Sequence, residues 1–466
     1  MLELAELLHG LDLQHNVSTE FSALSPQSWP FSLDWLPESA FLVGGSVRDA
    51  LLGRHSDYLD LDFVLPDQVV ETAQAIARHY KAGFVLLDAE RQIARVVFPQ
   101  GTADFAQQVG PTLESDLLRR DFTVNAIAYN PQRDRFVDPL QGCVDIENRI
   151  IRMVSAENLA EDPLRLLRAY RQAAQLGFRL EARTQQAIRS MTTTLDRIAA
   201  ERIQSELNYL LSSEKGTVWL TQAWQDGLLR DWLPGAGDRS FHWIAELDRI
   251  AILLQETHPD FAHGLSQSSR GAEGSPGISQ EPPKASGFTR NAWMTAKLAC
   301  LMPREIAAAE QQLRRLKYSR AEIQAVSVVL RCFPQLLPTS PPDAWTVDQP
   351  LLHLSLRDQY FFFQGVGMVF PAVVAMALAH GAHWEAIAPL IQRFLDPHDP
   401  VAHAIPLVTG KDVMQHLNIT AGPIIGQLLS AIQLAQAEGQ VHTPAEALAF
   451  ATHWMESAGQ NLSDYG

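Results

Sequence analysis

Asp60 and Asp62 stand one residue apart in the run Leu59-Asp60-Leu61-Asp62-Phe63. In an extended strand, residues i and i+2 project from one face, so both carboxylates point one way while Leu59, Leu61 and Phe63 enter a core. Two carboxylates held that close, with no Arg or Lys beside them in the run, repel each other; a divalent cation with oxygen ligands, such as Mg²⁺, relieves the cost. A third acid, Asp104, lies in a later strand candidate, 102–106. Three carboxylates on neighbouring strands suffice for two cations, one activating an attacking hydroxyl and the other holding a triphosphate and its leaving pyrophosphate. Alone, D-x-D also describes a solvated strand face. The upstream residues narrow the choice. Gly44 and Gly45 sit between the apolar run 41–43 and a helical stretch, 46–52. Glycine there lets backbone N–H groups approach a phosphate, and Arg48, one turn into the helix, reaches a phosphate oxygen.

A second set follows. In LESDLLRRDFTVNAIAYN, Arg119 and Arg120 precede Asp121 and Asn125. Read as a helix, Asp121 and Asn125 are spaced i, i+4 and can hydrogen-bond ribose hydroxyls, including the 2′-hydroxyl that marks a ribonucleotide. In EDPLRLLRAYRQAAQLGF, counting from Asp162 at about 100° per residue, Arg165, Arg168 and Arg171 fall near 300°, 240° and 180°. Leu166, Leu167 and Tyr170 fall near 40°, 140° and 80° on the opposite arc. A solvated face usually mixes signs; here one acid leads three regularly spaced arginines.

The elements that must position these residues change along the chain. Strand patterns at 58–65, 84–87, 94–98 and 102–106, with a helix at 67–80, give a mixed first part; beyond about residue 144 amphipathic helices dominate. The segment 257–290, rich in Gly, Ser, Pro and Gln, reads as a flexible insertion, and 334–350 as a Pro-rich break. The chain has 466 residues, 46% apolar and 19% charged, enough for several globular units. Cys143, Cys300 and Cys332 are scattered, with no C-x-x-C pair, and suggest neither a zinc site nor a disulfide framework. The net charge of -16 opposes broad polyanion binding, but 149–189 carries eight arginines against four acids. Nucleic-acid contacts should therefore centre on the first half. The N-terminus lacks a signal-peptide pattern, and the uncharged stretch 361–382, holding Gln364 and Pro371, reads as a buried helix; no membrane and a cytoplasmic location are expected.

GGSVRDALLGR followed by DLD resembles the signature of the class II tRNA nucleotidyltransferase and bacterial poly(A) polymerase family, within the polymerase β-like superfamily. The resemblance implies an elongated protein. An α+β head (1–143) would be followed by an all-α neck (144–215), body (216–345) and tail (346–466). It implies Asp60 and Asp62 as ligands of two Mg²⁺ ions, Asp104 as a less strictly required third catalytic carboxylate, and Gly45 and Arg48, beside Gly44, as nucleotide-phosphate contacts. Arg119, Arg120, Asp121 and Asn125 match the ribose motif, and Asp138, Gly142, Asp145 and Arg152 a hinge-like segment. Asp162 and Arg165 match the E-D-x-x-R motif that reads the base, with Arg168 and Arg171 facing the triphosphate. ERIQSELNYLL, from Glu201, matches a supporting neck element, and the region around Gly422-Pro423 a contact with the tRNA elbow. CTP and ATP are the implied substrates and a tRNA acceptor end the implied partner; oligomeric state is left open. Fourteen residues separate Asp104 from Arg119, where members that build the whole CCA end usually carry a longer loop. An enzyme adding only two cytidines is therefore a variant of the reading. A poly(A) polymerase and a non-catalytic RNA-binding protein are the alternatives.

Overall fold

The computed structural model describes residues 23–54, 58–266, 291–337 and 354–463. They form two compact units divided between Asp231 and Trp232.

The first unit opens with a seven-stranded mixed sheet in the order β3-β4-β5-β2-β1-β6-β7. The strands are β1 (Phe41–Val43), β2 (Leu59–Leu65), β3 (Gly83–Asp88), β4 (Ile93–Phe98), β5 (Gly101–Gln107), β6 (Ala128–Asn130) and β7 (Arg135–Val137). Helix α1 (Gly45–Leu51) links β1 to β2, and α2 (Val69–Tyr80) links β2 to β3. β2 and β5 run parallel with Asp60 opposite Thr102 and Asp62 opposite Asp104; the other pairs are antiparallel. Along β2 the pleat sends Leu59, Leu61 and Phe63 into the core and leaves Asp60 exposed and Asp62 half-buried. Beneath lies an aromatic cluster in which Phe63 and Phe105 stack at 5.4 Å and Trp29 meets Phe63 edge-on at 5.2 Å. This packing fixes which face the carboxylates take, because a one-residue slip would bury them.

Short helices α3 (Leu113–Leu117), α4 (Gly142–Glu147) and α5 (Ala156–Glu161) lead to α6 (Leu164–Leu176), followed by α7 (Ala182–Ser190), α8 (Ala200–Ser212) and α9 (Gly216–Gln225). α6 buries Leu166, Leu167, Tyr170 and Ala173, as its apolar arc predicts, and ends at Gly177, whose φ of 70° suits glycine. The Tyr170 hydroxyl donates to Asp226 at 2.6 Å, and Asp226 also accepts from Gln185, Arg189 and Gln222. That carboxylate ties α6 to its neighbours.

Four sequence expectations need correction. The strand candidates are incomplete: β6 and β7 follow 102–106 within the mixed first part, and beyond residue 144 Ile150–Ile151 pairs in parallel with Arg179–Leu180. Asp121 and Asn125 do not share a helix. Phe122 is extended and bridges to Met153, and only Thr123–Asn125 forms a 3₁₀ turn. Asp162 lies outside α6, as the extended residue that caps α5. Within the expected insertion 257–290, Pro259–Ser266 is helical, with Phe261 and Leu265 buried; 267–290 lies outside the described residues.

The second unit is helical. The uncharged stretch is broken by Gly367, at φ 49°, into Leu356–Val366 and Phe370–Ala379. Leu356–Ala379 is long and apolar enough to cross a membrane by length and composition, but Val373, Val374, Ala375 and Ala377 are fully buried among other helices. Gly410–Leu417, Pro423–Ala437 and Pro444–Ser463 enclose a separate core around Val413, Leu428, Ile432, Ala447 and Ala451.

Candidate active site

The carboxylates of β2 open onto a cavity of about 490 Å³. Gly44, Gly45, Arg48, Asp60, Asp62, Arg120, Asp121, Asn125, Arg168 and Arg171 line it, whereas Asp104, Arg119, Asp162 and Arg165 do not. Asp60 accepts from the Thr102 hydroxyl at 2.6 Å, a bond made available by the β2–β5 register. Burial pushes the Asp62 carboxyl up to about 7, and the charges of Asp60 and Asp104 add to the shift against a smaller opposing pull from Arg120 and Arg95. The pair is therefore not free of cationic neighbours, as the sequence suggested, but it remains short of positive charge.

Asp104 is committed elsewhere. Antiparallel pairing of β4 with β5 sets Arg95 opposite it, and Arg95 donates twice, at 2.6 and 2.7 Å. Among the described residues no group of three His, Cys, Asp or Glu side chains is placed to hold a metal. Asp60 and Asp62 are the β2 carboxylates that line the cavity, together with Asp49 and Asp121. Gly44, at φ 78°, explains its own residue type: a Cβ there would lie 3.1 Å from the Arg120 guanidinium and 3.7 Å from the Asp62 carboxylate.

Along one wall of the cavity runs a connected polar network. Asp121 accepts from the Phe122 N–H and from Asn125, both at 2.8 Å, and from Arg168 at 3.2 Å. Asn125 accepts from Arg48 at 2.6 Å and donates to Gln172 at 3.1 Å. Arg171 donates to Glu206 and to Gln175, with Tyr209 under its guanidinium at 5.2 Å. Burial alone would raise the Asp121 pKa; Arg168 and the hydrogen bonds from Asn125 and Phe122 bring it below the usual range. Burial raises Glu206 despite Arg171 and Arg168, and the same burial lowers Arg171.

A second cluster adjoins the first. Arg202 of α8 grips both Asp162 oxygens, at 2.8 and 3.2 Å. Arg165 spends one nitrogen on the carbonyls of Asn158 and Arg119, at 2.8 and 3.2 Å. Arg119 pairs with Glu161 at 2.6 Å. Arg165 is close enough to help lower Asp121, and Asp162 to help raise Arg168. Sequence reasoning missed Arg95, Thr102, Gln172, Arg202 and Glu206 as parts of the site. Arg202 and Glu206 do lie in ERIQSELNYLL, the segment singled out as a supporting element.

Comparison with known proteins gives the family of the chain. A model of the poly A polymerase head domain matches residues 40–152. One described as a probable RNA and SrmB-binding site of polymerase A matches 177–238, and a putative tRNA nucleotidyltransferase domain 2 matches 288–451. The chain is 46% identical to a CC-adding tRNA nucleotidyltransferase of Synechocystis sp., over 91% of this chain and 96% of that protein. It is 33% identical to an A-adding tRNA nucleotidyltransferase of Deinococcus radiodurans, over 90% and 96%. Its fold is similar to that of a CCA-adding enzyme solved with CTP, at a TM-score of 0.65 and 21% identity over 90% of this chain and 91% of that one. It is also similar to the Thermotoga maritima CCA-adding enzyme complexed with tRNA, at 0.61 and 21% over 89% and 91%. With near-complete coverage at 46% identity and a polymerase head carrying the paired carboxylates, the chain belongs to the tRNA nucleotidyltransferase family and is an enzyme of that kind.

Proposed function

We propose that this enzyme adds cytidine from CTP to the 3′ end of tRNA, releases pyrophosphate, and stops after two additions. The observation that carries the cytidine-only reading is the 46% identity, across nearly the whole of both chains, to a CC-adding relative. CC-adding relatives from Geobacter sulfurreducens and Thermus thermophilus match at 32% and 30%. The short span from Asp104 to Arg119 points the same way.

Asp60 and Asp62 are the proposed Mg²⁺ ligands. The carboxyl of Asp62, raised to about 7 by burial and by its acidic neighbours, fits a site built to receive a cation. With Asp104 held by Arg95, Asp60 and Asp62 would hold the cation and leave its other ligands to the triphosphate and water. When bound, the two ions would supply the charge that activates the RNA 3′-hydroxyl and stabilises pyrophosphate. The chain's own residues do the rest. Arg48, Arg120, Arg168 and Arg171 give the cavity a cationic wall for the triphosphate. Asp121, buried and already accepting three donors, holds Asn125 and Arg168 in place and keeps capacity for a ribose hydroxyl.

Base choice is assigned to Asp162 and Arg165. Asp162 accepts from an exocyclic amine and Arg165 donates to the neighbouring ring acceptor, an edge that cytosine and adenine share and guanine and uracil lack. Arg202, by hydrogen bond and charge, opposes the effect of burial and holds the Asp162 pKa below the usual range, so the residue is an acceptor at neutral pH. Arg165 contacts backbone carbonyls through one nitrogen, leaving other N–H groups for a base. Along the chain, catalysis belongs to the head (1–143) and base reading to the neck (144–215). The tail (346–466) meets the tRNA elbow around Gly422, which opens the helix Pro423–Ala437. The enzyme acts in the cytoplasm.

The test supplies tRNA lacking its last three nucleotides with Mg²⁺ and each nucleoside triphosphate, singly and together. CTP alone should extend it by two residues, and CTP with ATP by no more. Completion to CCA overturns the cytidine-only reading, and long adenosine runs make the chain a poly(A) polymerase.

A further inference from the structure

The second unit holds a cavity of about 460 Å³ that the proposed reaction does not use. Its lining combines apolar side chains with two exposed arginines, Arg239 and Arg304. Arg239 and Trp243 stand one turn apart on the long helix Asp238–Thr257, so both face the cavity together. His380 stacks on Trp243 with ring centres 4.1 Å apart and 23° between planes, and the Phe333 ring lies 4.7 Å from it, tilted by 50°. His380 Nδ1 lies 2.9 Å from the Met376 carbonyl and must donate to it, which leaves Nε2 as an acceptor. Burial lowers the His380 pKa, with Arg304 and His242 adding to the effect against the Met376 bond, so the ring is neutral at physiological pH. Asp238 sits at the rim, so the two guanidinium groups leave one net positive charge. Neither arginine enters an ion pair among the described residues. Paired aromatic planes beside unpaired guanidinium groups suit a ligand with both a flat ring and a phosphate.

We propose that this cavity is a second nucleotide site, in which Arg239 and Arg304 hold a phosphate, the Trp243 ring offers a stacking surface to a base, and the edge of His380 offers it an acceptor. The ligand is either one unstacked nucleotide of an RNA or a free nucleotide; the RNA source rests on the proposed action on tRNA. A base with an exocyclic amine suits the His380 acceptor.

The test uses the full chain and reads binding without turnover. Wild type, R239Q/R304Q and W243F are titrated with CMP, followed by tryptophan fluorescence, and with a tRNA transcript lacking its last three nucleotides, followed by filter retention at several salt concentrations. We expect R239Q/R304Q to weaken tRNA binding about 10-fold and to lower the salt slope by about 1. W243F should lose the fluorescence response of that site. Because both arginines are exposed, the double variant should keep the wild-type thermal midpoint. The same losses with CMP identify a free-nucleotide site, and losses with tRNA alone identify an RNA-borne nucleotide; either supports the proposal. Wild-type affinity for both ligands in both variants overturns it. CTP incorporation by the same preparations is scored separately, so failure of the second site and failure of the proposed reaction are told apart.

Discussion

The carboxylates of β2 and the carboxylate beneath the neck helix are treated in opposite ways. Asp62 is half-buried beside two further acids, and desolvation together with their charges raises its pKa to about 7. Asp121 is buried, but Arg168, Asn125 and the Phe122 N–H surround it, and its pKa falls. The same residue type is left short of positive charge in one place and saturated in the other. A carboxylate that the protein does not neutralise is one whose partner arrives with the substrate. A neutralised one, such as Asp121, first holds its arginine in place and has only its remaining acceptor capacity for a ligand. Asp104, clamped by Arg95, has moved from the first class towards the second.

The sharpest way to break this contrast is Asp60→Ala. It removes a proposed metal ligand from the deficient side and touches no assigned RNA contact, so transfer should fall by about 10³-fold or more with tRNA affinity nearly unchanged. Substantial incorporation by this variant, measured with labelled CTP, would place the metal elsewhere. On the saturated side, Glu206→Ala leaves Arg171 buried and Arg168 without one of its carboxylate neighbours. The loss should be about 3 kcal/mol in urea unfolding, with an unchanged m-value. An Asp104→Asn variant should cost less activity than Asp60→Ala, because its carboxylate already has a cation. Equal losses would return Asp104 to the ligand set. Arg165→Ala should cost least in rate while lowering the preference for CTP over UTP about 10- to 100-fold, the loss expected of one hydrogen-bonding partner at a base. Unchanged selectivity would mean that another residue reads the base.

Much of the site was legible wherever it depended on local periodicity. The alternation of Leu59 to Phe63 predicted a strand with both acids on one face, and the apolar arc of α6 predicted its buried side. What stayed hidden depends on register and on distant partners. Arg95 meets Asp104 only because β4 and β5 pair as they do. Arg202 reaches Asp162 across 40 positions of chain. Strands β6 and β7 have three residues each, and every residue of β6 is buried, so neither could show an alternating pattern. The i, i+4 spacing of Asp121 and Asn125 looked helical, yet their side chains meet at 2.8 Å through an extended Phe122 and a tight turn. Local spacing there was right about proximity and wrong about the backbone that produced it.

The weakest effect is also the most direct measure of the charge deficit. The Asp62 pKa rises in the folded chain from an ordinary value of 3.8 to about 7. Between those values the folded state binds the proton more tightly than the unfolded state, so without metal this group makes stability fall as pH rises from about 4 to 7. Asp62→Asn lacks that slope, and subtracting its pH profile from that of wild type removes the contribution of other groups. The difference in thermal midpoint should favour wild type near pH 4 and shrink or reverse by pH 7. Added Mg²⁺ should stabilise wild type at pH 7.5, where Asp62 is ionised, and have less effect on the variant. A flat difference profile, or equal stabilisation of both proteins by Mg²⁺, would show that Arg120 and Arg95 already satisfy Asp62, and the contrast with Asp121 would disappear.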